Sequence, residues 1–106
     1  MPKYLIKASY TREGVEGVRS KGGTSRRDAV TKAIEGLGGS VESFYFAFGD
    51  HDVYVTADLP DDEAAIATAL NVNAAGGATT KTTVLFTPEQ VDAAAKRTVD
   101  YRAPGA

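Results

Sequence analysis

The 106-residue sequence contains no cysteine, no tryptophan and only one histidine. The missing cysteine excludes disulfides, thiolate metal sites and a cysteine nucleophile. Long apolar runs are also missing: no stretch approaches the roughly 20 residues that a membrane span requires. The N-terminal apolar run is short and ends at Lys7, so it does not have the pattern of a signal peptide. We therefore expect a cytoplasmic protein without a membrane partner.

The chain has no excess of positive charge. Its 12 basic and 14 acidic side chains give a formal net charge of -2, and the basic residues are spread along the chain. Nucleic-acid binding depends on clustered cations that neutralise phosphates. We therefore do not expect a nucleic-acid partner.

Large apolar side chains are few. Hydrophobic residues make up 42% of the chain, but 17 of them are alanine, and Val, Ile, Leu and Phe together number 22. The length suits one domain, which we place at residues 1–106. A single copy therefore has a lean core.

Alternating and helical patterns follow one another along the chain. Period-2 alternation predicts strands, and apolar residues three and four apart predict helices. The predicted strands are Lys3–Tyr10, Val41–Phe48, Val53–Leu59 and Ala78–Thr87. A short helical turn from Thr11 to Val18, broken at Gly22-Gly23, precedes the first full helix. The order is strand, helix, two strands, helix, strand and a closing helix.

Start and stop signals flank each predicted helix. Ser25 with Asp28 has the spacing of a capping box, and so does Thr87 with Gln90. Acidic residues begin the second helix after Pro60, where the helix dipole favours negative charge. Glycine pairs 38–39 and 76–77 provide the stops. The fold class is therefore α+β, a ferredoxin-like β-α-β-β-α-β unit with a four-stranded antiparallel sheet, helices on one face and an extra C-terminal helix.

The two central strands are predicted to form a hairpin. If Asp50-His51 is a two-residue loop, Phe48 lies opposite Val53 and Phe46 opposite Val55. This pairing places three phenylalanines on the core face. Asp-His suits neither of the common hairpin turns, so Gly49 would lengthen the loop.

The other face of the sheet has no predicted cover. It carries Tyr45, Tyr54, Lys7, Lys81 and Leu5, which is too apolar a set for a face wholly in water. One interpretation is that two copies pack sheet to sheet as a homodimer or a larger homo-oligomer. The alternative is that the aromatics stack RNA bases, but only two lysines lie near them.

The segment from Phe44 to Val55, followed by Asp58-Leu59-Pro60-Asp61, resembles the hallmark region of the GYD-domain proteins, which are small and mostly bacterial. Gly38-Gly39 and the late strand that runs into Pro88-Glu89-Gln90 are similar too. The Tyr of the family's Gly-Tyr-Asp signature is absent, because Asp50-His51 lies between Gly49 and Asp52 here. The resemblance implies kinship with the dimeric α+β barrel proteins, which include small monooxygenases, isomerases and non-enzymatic binders.

Two segments offer candidate chemistry. His51 lies between Asp50 and Asp52, where a carboxylate would favour its action as a general base. The three side chains could instead bind a divalent metal ion, and a plain turn is the structural alternative that we favour. Gly22 to Arg27 combines a glycine-rich loop, a helix start and the cations Arg26 and Arg27, which suits an anion; a simple capped helix is the alternative.

The candidate ligand-binding residues are Tyr45, Tyr54, Asp50, His51, Asp52, Arg26 and Arg27, and the candidate catalytic residue is His51. We predict no metal site and no cofactor. Three functions stay open at this point. They are a small-molecule binder with its ligand between sheet and helices or at the dimer seam, an enzyme using His51 or a tyrosine as acid or base, and a ligand-free structural assembly.

Overall fold

The computed structural model describes residues 1–105 and contains four strands and four helices. In chain order they are β1 Lys3–Tyr10, α1 Arg12–Lys21, α2 Gly23–Gly36, β2 Ser40–Phe46, β3 Val53–Asp58, α3 Asp62–Ala74, β4 Ala78–Leu85 and α4 Pro88–Ala95. The strands form one sheet in the order β2-β3-β1-β4, with each neighbouring pair antiparallel. The predicted α+β ferredoxin-like fold is confirmed.

The core lies between the sheet and the helices. Even-numbered residues of β1 and odd-numbered residues of β3 share one face, because opposed residues of antiparallel strands point the same way. The largest fully buried side chains are Tyr4, Ile34, Leu59 and Val53. Alanines 64 and 65 of α3 complete this cluster, and their small side chains let the helix lie close to the sheet.

The β2–β3 connection is wider than predicted. Phe46, and not Phe48, lies opposite Val53, and residues 47–52 form the loop. A register shift of two residues keeps Phe44 and Phe46 on the core face and Tyr45 on the open face. An irregularity between Val41 and Ser43 places Val41 on the core face as well. Phe48, however, leaves the sheet: it adopts a left-handed φ of 55° and is 62% exposed.

Asp52 bonds to the chain on both sides of it. Its carboxylate accepts a hydrogen bond from the Tyr10 backbone N–H at 2.8 Å, and its own N–H donates to the Ala8 carbonyl at 2.9 Å. Its carbonyl accepts a hydrogen bond from the Ala47 N–H at 2.8 Å, so Ala47 and not Gly49 faces Asp52, and residues 48–51 connect the two strands. The predicted two-residue Asp50-His51 turn is therefore wrong.

The α1–α2 junction also differs from the prediction. α1 is a full helix of 10 residues capped by Thr11, and α2 begins at Gly23. Gly22, with φ 88°, reorients the chain at a single residue. Ser25 therefore lies inside α2 and caps nothing, and Asp28 instead pairs with Arg27 at 3.2 Å.

The other helix ends follow the prediction. After α2, the Gly38 N–H donates to the Glu35 carbonyl and the Gly39 N–H to the Ile34 carbonyl, the two bonds of a Schellman motif. Asp61 caps α3. Thr87 and Gln90 form a reciprocal capping box at α4.

Candidate functional site

A cavity of about 670 Å³ lies between the covered face of the sheet and helices α1, α2 and α3. Its floor is apolar and comes from β1, β2 and β3, and its walls come from the helices. Protein interiors are normally packed with few voids larger than a water molecule, whereas ligand pockets range from about 300 to 1,000 Å³. The cavity therefore has the size of a ligand site.

The cavity is open partly because the helix residues that face it are small. Gly14 of α1 is required by packing, because a Cβ there would lie 1.9 Å from the Gly77 carbonyl oxygen. Gly17 also lines the cavity, yet a Cβ there would meet nothing within 4 Å. A glycine inside a helix costs about 1 kcal/mol relative to alanine. No packing contact within the described chain explains Gly17, and the space beside it is the cavity.

Tyr10 is a half-buried aromatic residue of the cavity lining that carries a hydroxyl. Its ring lies 6.5 Å from that of Phe46, and Asp52 holds its backbone N–H. Burial raises the pKa of the Tyr10 phenol, the nearby Arg26 guanidinium opposes this rise, and Asp52 adds to it. The phenol therefore stays protonated at neutral pH and is available as a hydrogen-bond donor.

Charged side chains line the solvent side of the cavity. They are Glu13 and Lys21 of α1 and Arg26 of α2, all exposed. Arg27 does not line the cavity, because it binds Asp28 on the exposed surface of α2. The two predicted arginines therefore separate, and only Arg26 belongs to the site.

The predicted tyrosines lie on the opposite, open face of the sheet. Tyr45 pairs with Tyr54, Tyr54 pairs with Lys7, and Lys7 pairs with Lys81, so these four form one row across the strands. His51 lies beside this row, with its Nδ1 3.3 Å from the Ser9 Oγ and its ring edge-to-face with Tyr54 at 5.9 Å. The structure thus brings Tyr45, Tyr54 and His51 together, but away from the cavity.

The two aspartates beside His51 have different surroundings. Asp52 is half-buried and engaged with Tyr10, whereas Asp50 is exposed in the loop. Within residues 1–105, no group of three His, Asp or Glu side chains has an arrangement that would hold a metal ion. Asp52 is a structural residue of the loop.

Sequence reasoning did not identify Tyr10, Lys21 and Gly17 as site residues. Glycine lowers helix propensity, so in the sequence alone Gly14 and Gly17 indicate only a weak helix. Their spacing of three, with Val18 next to it, places a strip of small residues on one side of α1. That strip was the available signal.

The family model of the GYD domain matches residues 4–95, which is most of the chain. The chain belongs to the GYD domain family. No curated protein and no solved structure matches it. Within residues 1–105, no helix combines the length and apolar character needed to cross a bilayer.

Proposed function

We propose that this GYD-domain protein binds a small, largely apolar molecule in the cavity between its sheet and its helices. The observation that carries the proposal is the cavity of about 670 Å³ beside the buried cluster. Its apolar floor includes Ile6, Val53 and Val55. A ligand there would remove apolar surface from water, which is worth about 25 cal/mol per Å².

The lean composition supports this proposal. A chain with so few large apolar residues loses stabilisation when the apolar lining of this cavity is left in contact with water. Gly17 adds a second cost with no packing benefit within the chain. Both costs are explained if the space is occupied when the protein functions.

Titration with N-phenyl-1-naphthylamine, a neutral apolar dye, tests the proposal. We expect saturable binding with a fluorescence increase. Ala29 lines the cavity from α2, and Ala29→Trp would fill part of it. We expect this variant to lower the affinity at least about tenfold, the effect of some 1.4 kcal/mol.

Ala33→Trp is the matched control, because Ala33 lies one turn further along α2, is exposed and does not line the cavity. It should bind the dye like the unaltered protein. Absence of saturable binding, or equal binding by both tryptophan variants, would contradict the proposal. Circular dichroism of both variants checks that the fold persists.

Acid–base catalysis stays a prediction, but for a reaction in the cavity the candidate residue is Tyr10 and not His51. His51 lies beside the open face, so a reaction in the cavity would depend on Tyr10, with Glu13 as the lining carboxylate. A solvent-exposed reaction at His51 would be independent of the cavity. Loss of a newly found activity in Tyr10→Phe and not in His51→Ala would assign it to the cavity.

We also propose that a second copy of the chain covers the open face of the sheet. Tyr45 is 70% exposed there, and no described helix packs on that side. Lys7 and Lys81 lie in one row of this face, and Glu42 and Asp58, bound to Lys3, lie two rows away. A two-fold axis through the intervening row, which contains Leu5 and Thr56, would place the lysines of one copy over the acidic row of the other.

The outline of the chain agrees with an oligomer. The radius of gyration is 16.9 Å and the longest extent is 57 Å, whereas a compact domain of this length has a radius of about 13 Å. A lone copy thus leaves apolar side chains such as Tyr45 uncovered on its sheet.

Sedimentation equilibrium tests the dimer. Buried interface tyrosines often contribute 2 kcal/mol or more, so Tyr45→Asp should raise the dissociation constant at least about 30-fold. Tyr101→Asp alters an equally exposed tyrosine outside the sheet and should have a much smaller effect. A folded monomer at micromolar concentration would refute the proposal, and a dimer insensitive to Tyr45→Asp would place the interface elsewhere.

A further inference from the structure

We infer that the ligand of the sheet–helix cavity carries an anionic group, which Arg26 and Lys21 bind at the solvent side while an apolar body occupies the interior. This inference rests on the proposed function and adds the chemical class of the ligand, an amphipathic anion. It commits to the shared chemistry of a carboxylate, sulfonate or phosphate.

The charge of the cavity lining supports an anion. Two cations and one carboxylate line it, although the whole chain is acidic. Within residues 1–105, neither Arg26 nor Lys21 forms an ion pair. By contrast, the neighbouring Arg27 is paired with Asp28. A cation beside a concave apolar wall attracts anions more strongly than a cation on a flat, wet surface.

Tyr10 supplies a neutral donor next to these cations. No side chain or carbonyl within residues 1–105 accepts a hydrogen bond from its hydroxyl. Asp52 fixes the Tyr10 backbone, and Phe46 packs against its ring. The phenol is therefore held in place with no protein acceptor among residues 1–105, and an anionic oxygen is the acceptor that forms the strongest hydrogen bond with it.

The apolar interior of the cavity indicates that the remainder of the ligand is apolar. A fully solvated ion such as phosphate would gain nothing from Val18, Val30 or Val72, which line the cavity walls. Only a molecule with both parts uses the whole site. Inorganic phosphate is therefore expected to bind weakly, and a hydrocarbon without a charged group is expected to leave the cations unused.

Two dyes with one shared skeleton test the inference. N-Phenyl-1-naphthylamine is neutral, and 1-anilinonaphthalene-8-sulfonate is the same arylamine with one sulfonate. We expect the sulfonate dye to bind about tenfold more tightly, the effect of one charge-assisted hydrogen bond. Added sodium chloride should weaken the sulfonate dye and leave the neutral dye unchanged.

Arg26→Gln and Arg27→Gln are the matched pair of variants, since both remove one charge from the same turn of α2. Arg26→Gln should weaken the sulfonate dye about five- to tenfold and change the neutral dye less than about twofold. Arg27→Gln should change neither. Ala29→Trp should weaken both dyes, which shows that they share the cavity.

The outcomes separate this inference from the proposed function. Neutral-dye binding without a preference for the sulfonate would overturn the anionic class and leave the cavity as a binding site. Equal losses in Arg26→Gln and Arg27→Gln would show a general charge effect and also overturn it. Failure of both dyes to bind would overturn the proposed function and this inference together.

Discussion

The two faces of the sheet differ in how their side chains are packed and paired. On the covered face, a packed cluster around Ile34 and Leu59 adjoins a cavity of about 670 Å³. On the open face, polar side chains already pair with one another: Lys3 binds Glu42 and Asp58, and Ser43 shares a hydrogen bond with Thr56. The covered face therefore borders a cavity with a mostly apolar lining, whereas the open face carries paired polar side chains that no other part of the chain covers.

This difference separates two kinds of incompleteness. A cavity bounded by a chain's own helices has a fixed volume and suits a small molecule. A flat, mixed face with exposed tyrosines suits a protein surface, where tyrosine is enriched. The same sheet therefore supports a ligand proposal on one side and an assembly proposal on the other.

The largest expected effect is in the packed part of the covered face. Ile34 is fully buried, so Ile34→Ala should lower the free energy of unfolding by about 3 kcal/mol through lost burial and a new cavity. Ile66→Ala removes the same atoms from a side chain that is 56% exposed and should change it by less than about 0.5 kcal/mol. Urea denaturation measures both. Equal effects would mean that the packed cluster is not where stability resides.

The loop between β2 and β3 should show the next largest effect. Asp52→Ala leaves the Tyr10 N–H without its acceptor and should cost about 2 kcal/mol. Asp50→Ala, in the same loop but exposed, should be nearly neutral. Denaturant midpoints of the two variants decide the matter. A neutral Asp52→Ala would contradict the structural role that the Tyr10 contact gives to its carboxylate.

Gly17→Ala should change the stability of the protein and the binding of dye in the cavity in opposite directions. The helix gains about 1 kcal/mol from alanine, while the added methyl group enters the cavity and weakens the neutral dye. Gly36→Ala, at a helical glycine outside the cavity that also has open space around it, should stabilise without changing dye affinity. Thermal denaturation and dye titration are measured together. Unchanged dye affinity in Gly17→Ala would remove Gly17 from the site.

The last prediction concerns how the free energy of unfolding depends on pH. The Tyr4 hydroxyl donates a hydrogen bond to the Asp62 carboxylate at 2.6 Å. This bond, with burial, raises the pKa of Tyr4 from 10.0 to about 12. The unfolded chain therefore loses the proton first, so the stabilisation is complete below pH 10.0 and is lost as the pH rises to about 12. Denaturation on both sides of pH 10.0 should show a shallower decline in Tyr4→Phe than in Tyr45→Phe, which keeps Tyr4. Parallel declines would contradict this assignment.

Local chemistry explains which elements were predictable. The Thr87–Gln90 box and the Gly38 stop depend on residues three to five apart, and both are present as expected. The helix expected after Pro60 is also present, with Asp61 as its cap. The hairpin register and the start of α2 were wrong for a different reason. Asp52 bonds to β1 across more than 40 residues of chain, and α2 begins immediately after the single bend at Gly22. No local pattern encodes the first contact, and the glycine pair at 22–23 suggested a longer break than the fold needs.

The candidate site was predictable only in part. Arg26 and the tyrosines were identified from charge and from strand alternation, but their grouping was not. Arg26 joins Tyr10 from another element in the cavity, whereas Tyr45, Tyr54 and His51 meet on the far side of the sheet. Neighbours in sequence also diverge, as Arg26 and Arg27 do, because successive helical residues point about 100° apart.

The sequence by itself determined the order of the elements, the ends of most helices and the two faces of each strand, because each depends on backbone preferences and on the periods of helix and strand. The scarcity of large apolar residues in the sequence also indicated an incomplete core. Only the tertiary structure decided where that incompleteness lies. The volume between a sheet and its helices depends on how closely α1, α2 and α3 approach, and that distance is set by contacts such as Gly14 against Gly77, which bring together residues far apart in the chain.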